Sequence, residues 1–103
     1  MNYLLNKTIT NIYTNFESKE LILFIDDGSK LILKNCLYYT DLGIINNKIT
    51  FVSEKGTMGF VIICKELNKN HEDYSYLLLS HNIENYLDKK EISIAYKEIK
   101  VEQ

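Results

Sequence analysis

Short apolar runs separated by turn residues recur along the chain, and their alternation predicts strands for most of it. The clearest example is Glu20–Tyr39, where apolar residues flank the tetrapeptide Asp26-Asp27-Gly28-Ser29. Asp-Gly between two apolar runs is the strongest short-range signal for a β-hairpin, because glycine adopts positive φ and aspartate hydrogen-bonds its own backbone. Both sides of the first hairpin strand are apolar, which is typical of a sheet covered on both faces.

Similar patterns predict further strands on either side of the hairpin, namely Thr8–Phe16, Lys48–Ser53, Gly59–Lys65 and Glu91–Tyr96. The continuous apolar run in Gly59–Lys65 is rich in β-branched residues, which favours a buried strand over a helix. Glu91–Tyr96 alternates, which predicts one inward face (Ile92, Ile94 and Tyr96) and one outward face (Glu91, Ser93 and Ala95). The same pattern continues, after an irregularity at Lys97-Glu98, with Ile99 and Val101.

The segment Tyr74–Leu79 fits two structures. It alternates as a strand, and it also fits a helix capped by Asp73,. We favour a strand to about Ser80, followed by a short helical or irregular piece that contains residues with helical spacing, Ile83, Tyr86 and Leu87,.

These elements predict a mainly β fold. About seven short strands, with a turn roughly every ten residues, are typical of an antiparallel sheet that forms a sandwich or an open barrel. At most one short helix is expected beside them. Neither a repeat nor a linker divides the chain, so we predict a single β-rich domain over residues 1–103,. The C-terminal strand carries four lysines and is a candidate edge strand: Lys89, Lys90, Lys97 and Lys100,.

Composition limits the partners and the compartment that we expect. All 12 basic residues are lysine, arginine is absent and the net charge is −2. Arginine is the preferred residue for bidentate contacts to guanine and phosphate, so this balance argues against nucleic-acid binding. No apolar run is long enough to span a membrane, and the N-terminal sequence does not resemble a signal peptide,. We therefore expect a cytoplasmic protein with no membrane partner. The abundance of Asn, Lys, Ile and Tyr, which have AT-rich codons, indicates a low-GC bacterium, its phage or a plasmid.

The candidate metal ligands are poorly spaced for a shared ion. His71 and His81 are predicted near opposite ends of the Tyr74–Leu79 strand. A strand of seven residues spans roughly 20 Å, too far for both side chains to bind one zinc ion. Cys36 and Cys64 are predicted to be reduced, buried and inert, with a disulfide only if their strands are neighbours.

Catalytic patterns are not evident either. Asp26 and Asp27 are adjacent in a predicted turn, where turn formation alone accounts for them,. The four glycines are scattered and form no phosphate-binding loop, and no nucleophile elbow occurs,. We predict no catalytic residue, no cofactor and no metal, and hence a protein that is not an enzyme. An enzyme would require His71 or His81 to face a carboxylate inside a concave site.

The eight tyrosines are the main supply of amphipathic contact surface. Tyrosine gives a large contact area at low entropic cost and is favoured in protein interfaces. Because Tyr38 and Tyr39 are adjacent in a strand, they are predicted to point to opposite faces. The predicted partner-binding residues are Tyr39, Asp41, Asp26 and Asp27. Tyr39 and Asp41 are expected at the far end of the second hairpin strand from Asp27, so a common patch would require the sheet to curl.

The β-rich start "ITNIYTNFESKELILFIDDGSKLILKNC", which leads into "DLGI", resembles small bacterial proteins of the immunity type. Such proteins neutralise toxins that competing cells deliver. The resemblance covers the first half of the chain. It implies a stoichiometric, non-catalytic inhibitor whose acidic or polar surface covers a basic toxin domain.

The sequence therefore predicts a non-catalytic protein-binding inhibitor, of the immunity or antitoxin type. A phage inhibitor of a bacterial defence system would act by the same mode of binding on a different protein partner. The alternative is a small-molecule-binding β-barrel or sandwich, in which strands that are apolar on both sides line a cavity. Homodimerisation through an uncovered edge strand is compatible with each hypothesis.

Overall fold

Two antiparallel sheets of four strands each, packed face to face, form the fold in a computed structural model, which describes residues 1–85 and 87–103. The first sheet has the order β1-β2-β3-β8 and the second the order β4-β7-β6-β5. The strands are β1 (Ile9–Asn15), β2 (Glu20–Ile25), β3 (Lys30–Lys34), β4 (Tyr38–Leu42), β5 (Phe51–Ser53), β6 (Ser75–His81), β7 (Lys90–Tyr96) and β8 (Glu98–Glu102). The other elements are the helix α1 (Met58–Glu66) and two short 3₁₀ helices (Asn2–Leu4 and His71–Asp73). The predicted mainly β fold is confirmed, and the arrangement is that of a sandwich.

The β2–β3 hairpin forms as the sequence predicts. Leu21 pairs with Leu33 and Leu23 with Leu31, and the turn between the strands places Gly28 at φ 88°. A residue with a Cβ atom rarely adopts this left-handed conformation, so the Asp-Gly sequence itself fixes the register of the two strands.

Aliphatic side chains from both sheets fill the space between them. Every second residue of β2 is buried, as the period of two in a strand requires,. Burying a side chain of this size stabilises the fold by about 1.5–3 kcal/mol. The leucines and isoleucines at the centre of this core are completely buried: Leu21, Leu23, Leu31, Leu33, Leu77, Leu79, Ile92 and Ile94.

The prediction of a buried strand over Gly59–Lys65 is wrong, because this segment forms most of helix α1. The hydroxyl of Thr57 accepts a hydrogen bond from the Phe60 amide at 3.2 Å and caps the helix N-terminus,. Phe60 and Cys64, four residues apart, are buried on the outer face of the second sheet, while Ile62 is 50% exposed. Packing of this narrow face stabilises a helix despite the preference of β-branched residues for strands.

Helix α1 also explains why Ala95 is buried. The sequence predicts that Ala95 points outward, but its side chain is completely buried in a cluster with Phe60, Cys64 and Tyr76. The second sheet is therefore covered by the first sheet on one face and, around Ala95, by the helix on the other. Its inward residues are predicted correctly, namely Ile92, Ile94 and Tyr96.

Two segments that the sequence predicts as continuous strands are each divided between the two sheets. The chain leaves the first sheet after Lys34 and starts β4 in the second sheet at Tyr38. It returns at Lys97, whose amide donates to the Lys34 carbonyl at 3.0 Å, and continues as β8. β8 is an edge strand of the first sheet, so the edge prediction holds for the C-terminal strand, whereas β7 lies inside the second sheet.

The ambiguous segment is a strand, β6, and it ends at His81, one residue beyond the predicted limit. Irregular turns follow at 82–85 and 87–89. Tyr86, which the sequence assigns to a helical turn, lies outside the described residues. In the part of the chain that the structure describes, no helix has the length and apolar character needed to cross a membrane.

Candidate protein-binding surface

The two aspartates of the hairpin turn make their hydrogen bonds within the turn and its neighbours. Asp26 Oδ1 accepts from the Thr8 amide at 3.2 Å, and the Asp26 amide donates to the Thr8 carbonyl at 2.9 Å. Asp27 Oδ1 accepts from the Ser29 amide at 2.9 Å and from its hydroxyl at 2.6 Å. Both side chains are exposed, yet their oxygens already stabilise the local backbone,.

The Asp27 carboxylate is held in its charged form. The hydroxyl and amide of Ser29 and the Lys7 ammonium, which lies 3.0 Å from Oδ2, lower the pKa of Asp27 to about 2. Hydrogen bonds to an ionised carboxylate stabilise the charged form and lower its pKa. The residue is thus an anion at every physiological pH.

Asp41 also closes a turn. Its Oδ1 accepts hydrogen bonds from the Gly43 and Ile44 amides, at 3.0 and 3.2 Å, as the chain leaves β4. Like Asp27, it stabilises the turn by which the backbone leaves a strand,.

Asp41 lies at the same end of the sandwich as Asp27, and not at the opposite end as the sequence suggests. Because β4 runs back along the second sheet, its C-terminal end returns to the level of the hairpin turn. Backbone hydrogen bonds connect the two places: the Asn46 amide donates to the Ile9 carbonyl at 2.8 Å, next to the Thr8–Asp26 contact. We call this end of the sandwich the turn end.

Tyr38 and Tyr39 point to opposite faces, as predicted. Tyr38 pairs with Ala95 and packs against the cluster beneath helix α1, where burial first, and then Tyr76 and Cys64, raise its pKa to about 12. Tyr39 pairs with Ile94, so it points toward the first sheet, but its position on the outermost strand leaves it 39% exposed. Tyr39 is therefore available for contact and Tyr38 is largely structural.

β4 is the most exposed strand of the second sheet. Four of its five residues are exposed, from Tyr39 to Leu42. β7 pairs with one side of β4, and among the described residues no strand pairs with the other side. An edge strand of this kind presents unpaired N–H and C=O groups to solvent.

A groove of about 270 Å³ opens beside the start of β4, between the two sheets. We call it the tyrosine groove. Tyr39, predicted from the sequence, lines it, whereas Asp26, Asp27 and Asp41 do not. Its walls come from the β1–β2 connection and from the connection into β4, and they include Phe16, Leu21, Cys36, Leu37, Tyr38 and Tyr39.

A second groove of about 480 Å³ adjoins the first. We call it the lysine groove, and the end of the sandwich that holds both grooves the groove end. Three lysines from separate parts of the chain line the lysine groove, and its lining is completed by polar, thiol and apolar side chains. Its residues are Phe16, Lys19, Asn35, Cys36, Leu37, Lys69, Tyr74 and Lys97. Sequence reasoning did not find it, because no local pattern connects positions 16 and 97.

The cysteines and histidines form no shared site among the described residues. Cys36 and Cys64 are both free, and desolvation raises the pKa of each thiol. Cys64 is buried as predicted, whereas Cys36 is only half-buried, because it lies in the exposed connection between the sheets. His71 stacks edge-on against Phe60, and His81 Nδ1 lies 2.8 Å from the Lys48 carbonyl, at the other end of β6.

Within residues 1–85 and 87–103, no group of three His, Cys, Asp or Glu residues is arranged to hold a metal ion. Comparison with known proteins adds no relationship: no family model, curated protein or solved structure matches the chain. The function must therefore be argued from this chain's own surfaces.

Proposed function

We propose that this protein is a non-catalytic inhibitor that acts by covering a partner protein. The observation that carries the proposal is the exposed edge strand β4, with Tyr39 beside the tyrosine groove. A free strand edge binds an extended segment of a partner through backbone hydrogen bonds, and a neighbouring pocket selects its side chains.

The chemistry of the groove fits this role. Phe16 is 87% exposed and Tyr39 is 39% exposed, so two aromatic rings are available on either side of the opening. Aromatic residues are enriched at the energetically dominant positions of protein interfaces, where they exclude water from neighbouring polar contacts. Tyr39 also offers a hydroxyl that hydrogen-bonds without the entropic cost of a long side chain.

The partner that we propose is a toxin, which makes the protein an immunity or antitoxin-type inhibitor. This step rests on the resemblance of the β-rich first half to immunity proteins. A component of a bacterial defence system is the corresponding partner if the chain is encoded by a phage. Either partner is inhibited stoichiometrically, because a tight complex blocks the partner's own active surface.

A small-molecule-binding domain has less support. The lysine groove, at about 480 Å³, has a volume within the roughly 300–1,000 Å³ typical of ligand sites, but three lysines line it where such sites are mainly apolar,. The tyrosine groove, at about 270 Å³, is smaller than that range,. It is also open, while the space between the sheets is filled by completely buried aliphatic side chains.

The proposal is tested by co-expression with a panel of bacterial toxin domains, scored by growth and by co-purification. We expect one toxin class to be neutralised, in a stable complex of fixed stoichiometry. Tyr39→Ala should weaken protection, and Tyr13→Ala is the matched control, because Tyr13 is also an exposed tyrosine on an edge strand but lies outside both grooves. Equal protection by both variants, or growth rescue without a complex, would contradict the proposal.

A further inference from the structure

The lysine groove combines three ammonium groups with an apolar wall. Lys19, Lys69 and Lys97 line it, and the structure shows no carboxylate among its lining residues over the described part of the chain. The protein as a whole has 14 acidic and 12 basic residues. The groove is therefore locally positive, although the protein as a whole carries a net negative charge.

These lysines are not neutralised by the protein itself. Within the described residues, ion pairs involve other lysines, and none joins Lys19, Lys69 or Lys97 to a carboxylate. Lys97 Nζ lies 5.1 Å from the centre of the Tyr74 ring, an arrangement that holds the ammonium over the groove wall without cancelling its charge,.

The apolar wall is built by the turn between β1 and β2. Asn15 Oδ1 accepts hydrogen bonds from the Glu17 and Ser18 amides, at 3.1 and 3.3 Å, and closes the turn that contains Phe16. Phe16 is left 87% exposed. At the end of the turn the Lys19 carbonyl accepts from the Cys36 amide at 2.8 Å, which ties the turn to the opposite wall. These contacts fix the main chain of the turn that carries the exposed ring.

We propose that the lysine groove binds an acidic peptide segment of the partner protein, with an apolar side chain against Phe16 and Leu37 and carboxylates at the lysines. The inference rests on the proposed protein-binding function and names the chemistry of the segment that is bound; this acidic segment is distinct from the basic toxin surface that the resemblance to immunity proteins implies. Carboxylates pair with ammonium groups at close range, and an apolar residue between them would bury the exposed ring.

An acidic peptide fits this groove better than a nucleic acid. The chain has a net charge of −2 and no arginine, so it would repel a long polyanion, whereas a short acidic segment experiences mainly the three nearby lysines,. The groove also adjoins the tyrosine groove at the start of β4, so one extended segment can pair with the strand edge and reach the lysines.

The test is an NMR titration of the ¹⁵N-labelled full chain with a blocked peptide, Glu-Glu-Phe-Glu-Glu. We expect amide shifts at the groove lining, including Phe16, Leu37 and Tyr74, and weaker binding as salt is raised. A peptide with Gln in place of Glu tests the contribution of charge, and a peptide with Gly in place of Phe tests the contribution of the apolar contact. No shifts at millimolar peptide, equal binding of the Gln peptide, or shifts confined to the turn end would overturn the proposal, as would tighter binding of oligothymidylate in the groove.

Matched charge variants complete the test. The double variant Lys69→Gln/Lys97→Gln should bind the acidic peptide about five- to tenfold more weakly, since each exposed charge pair contributes a factor of a few. Lys48→Gln/Lys55→Gln removes the same charge from exposed positions outside both grooves and should bind like the wild type. Similar losses in both doubles would show a general charge effect and overturn the proposal.

Failure of this inference is distinguishable from failure of the proposed function. If the wild type and Lys69→Gln/Lys97→Gln protect cells from a toxin equally, while Tyr39→Ala does not protect, the acidic-peptide site is refuted and the inhibitor remains. If the wild type neutralises no toxin, the proposed function fails, whatever the peptide titration shows.

Discussion

At the turn end of the sandwich, Asp27 accepts two hydrogen bonds from Ser29 and pairs with Lys7, whereas at the groove end Lys69 has no ion-pair partner among the described residues. Strand β2 connects the two ends, starting beside Lys19 and finishing beside Asp26. Both ends are exposed and charged. Among the described residues, only the charged side chains of the turn end accept hydrogen bonds from backbone amides. Exposure alone therefore does not identify a contact surface. Polar and charged groups that have no partner within the protein are the better indication.

The largest expected effect concerns the helix that supports the groove end. Phe60 is 5% exposed and its ring lies 5.2 Å from the Tyr76 ring, so Phe60→Ala should lower the free energy of unfolding by about 3 kcal/mol,. Met58→Ala is the control on the same helix, because Met58 is 73% exposed, and its effect should stay within about 0.5 kcal/mol,. Urea denaturation measures both, and equal losses would contradict the packing of α1 on the second sheet.

Two glycines should respond to alanine with opposite signs. Gly28 lies at φ 88° with no atom near the position of an added Cβ, so backbone strain alone should destabilise Gly28→Ala by about 1 kcal/mol,. Gly59 lies in the first turn of α1 with only an ordinary contact to Thr57, so Gly59→Ala should stabilise by about 0.5 kcal/mol,. Thermal unfolding midpoints of the two variants give the comparison. A stabilising Gly28→Ala would show that the turn does not have this conformation.

Acid should weaken the turn end selectively. The folded-state pKa of Asp27 is lowered to about 2, from an ordinary value of 3.8, so its contribution to stability is present above pH 4 and is lost as the pH falls toward 2,. Asp27→Asn keeps an oxygen for Ser29 but removes the charge. The wild type should be more stable than Asp27→Asn at pH 6, and the difference should shrink between pH 4 and pH 2. A constant difference over this range would contradict the role of the carboxylate charge.

The smallest expected effect is at the groove end. Lys69 and Lys97 make no ion pair with the described residues, and the contact of Lys97 with the Tyr74 ring is exposed, so Lys69→Gln/Lys97→Gln should change the free energy of unfolding by less than about 1 kcal/mol,. Lys7→Gln is the contrasting variant, since it breaks the pair with Asp27 and should lower the unfolding midpoint measurably. A large loss of stability in the double variant would show that these lysines serve the fold.

Local sequence patterns predict the parts of this fold that local forces determine. The β2–β3 hairpin follows from turn chemistry, and the opposite orientations of Tyr38 and Tyr39 follow from the period of a strand,. Helix α1 does not, because its apolar run fits a strand equally well, and packing of Phe60 and Cys64 on the second sheet decides between them.

Local sequence patterns do not predict the lysine groove either. Residues 16 and 97 of its lining are 81 positions apart in the sequence. The segments that line the groove meet because the chain passes from one sheet to the other after Lys34 and returns at Lys97. Of the four predicted partner-binding residues, Asp27 and Asp41 close local turns, and Asp26 bonds the distant Thr8 amide. Only Tyr39 belongs to a groove.

Hydrogen–deuterium exchange of the protein, alone and bound to a toxin that forms a complex with it in the co-expression test, tests the central claim most directly. The proposed contact surface predicts protection of the edge strand β4 and of the lysine groove, from Phe16 to Lys19 and around Tyr74, because a bound segment would cover them,. The amides of the hairpin turn at 26–29 should exchange at unchanged rates. Protection confined to the hairpin turn, with β4 and the groove unaffected, would contradict the account.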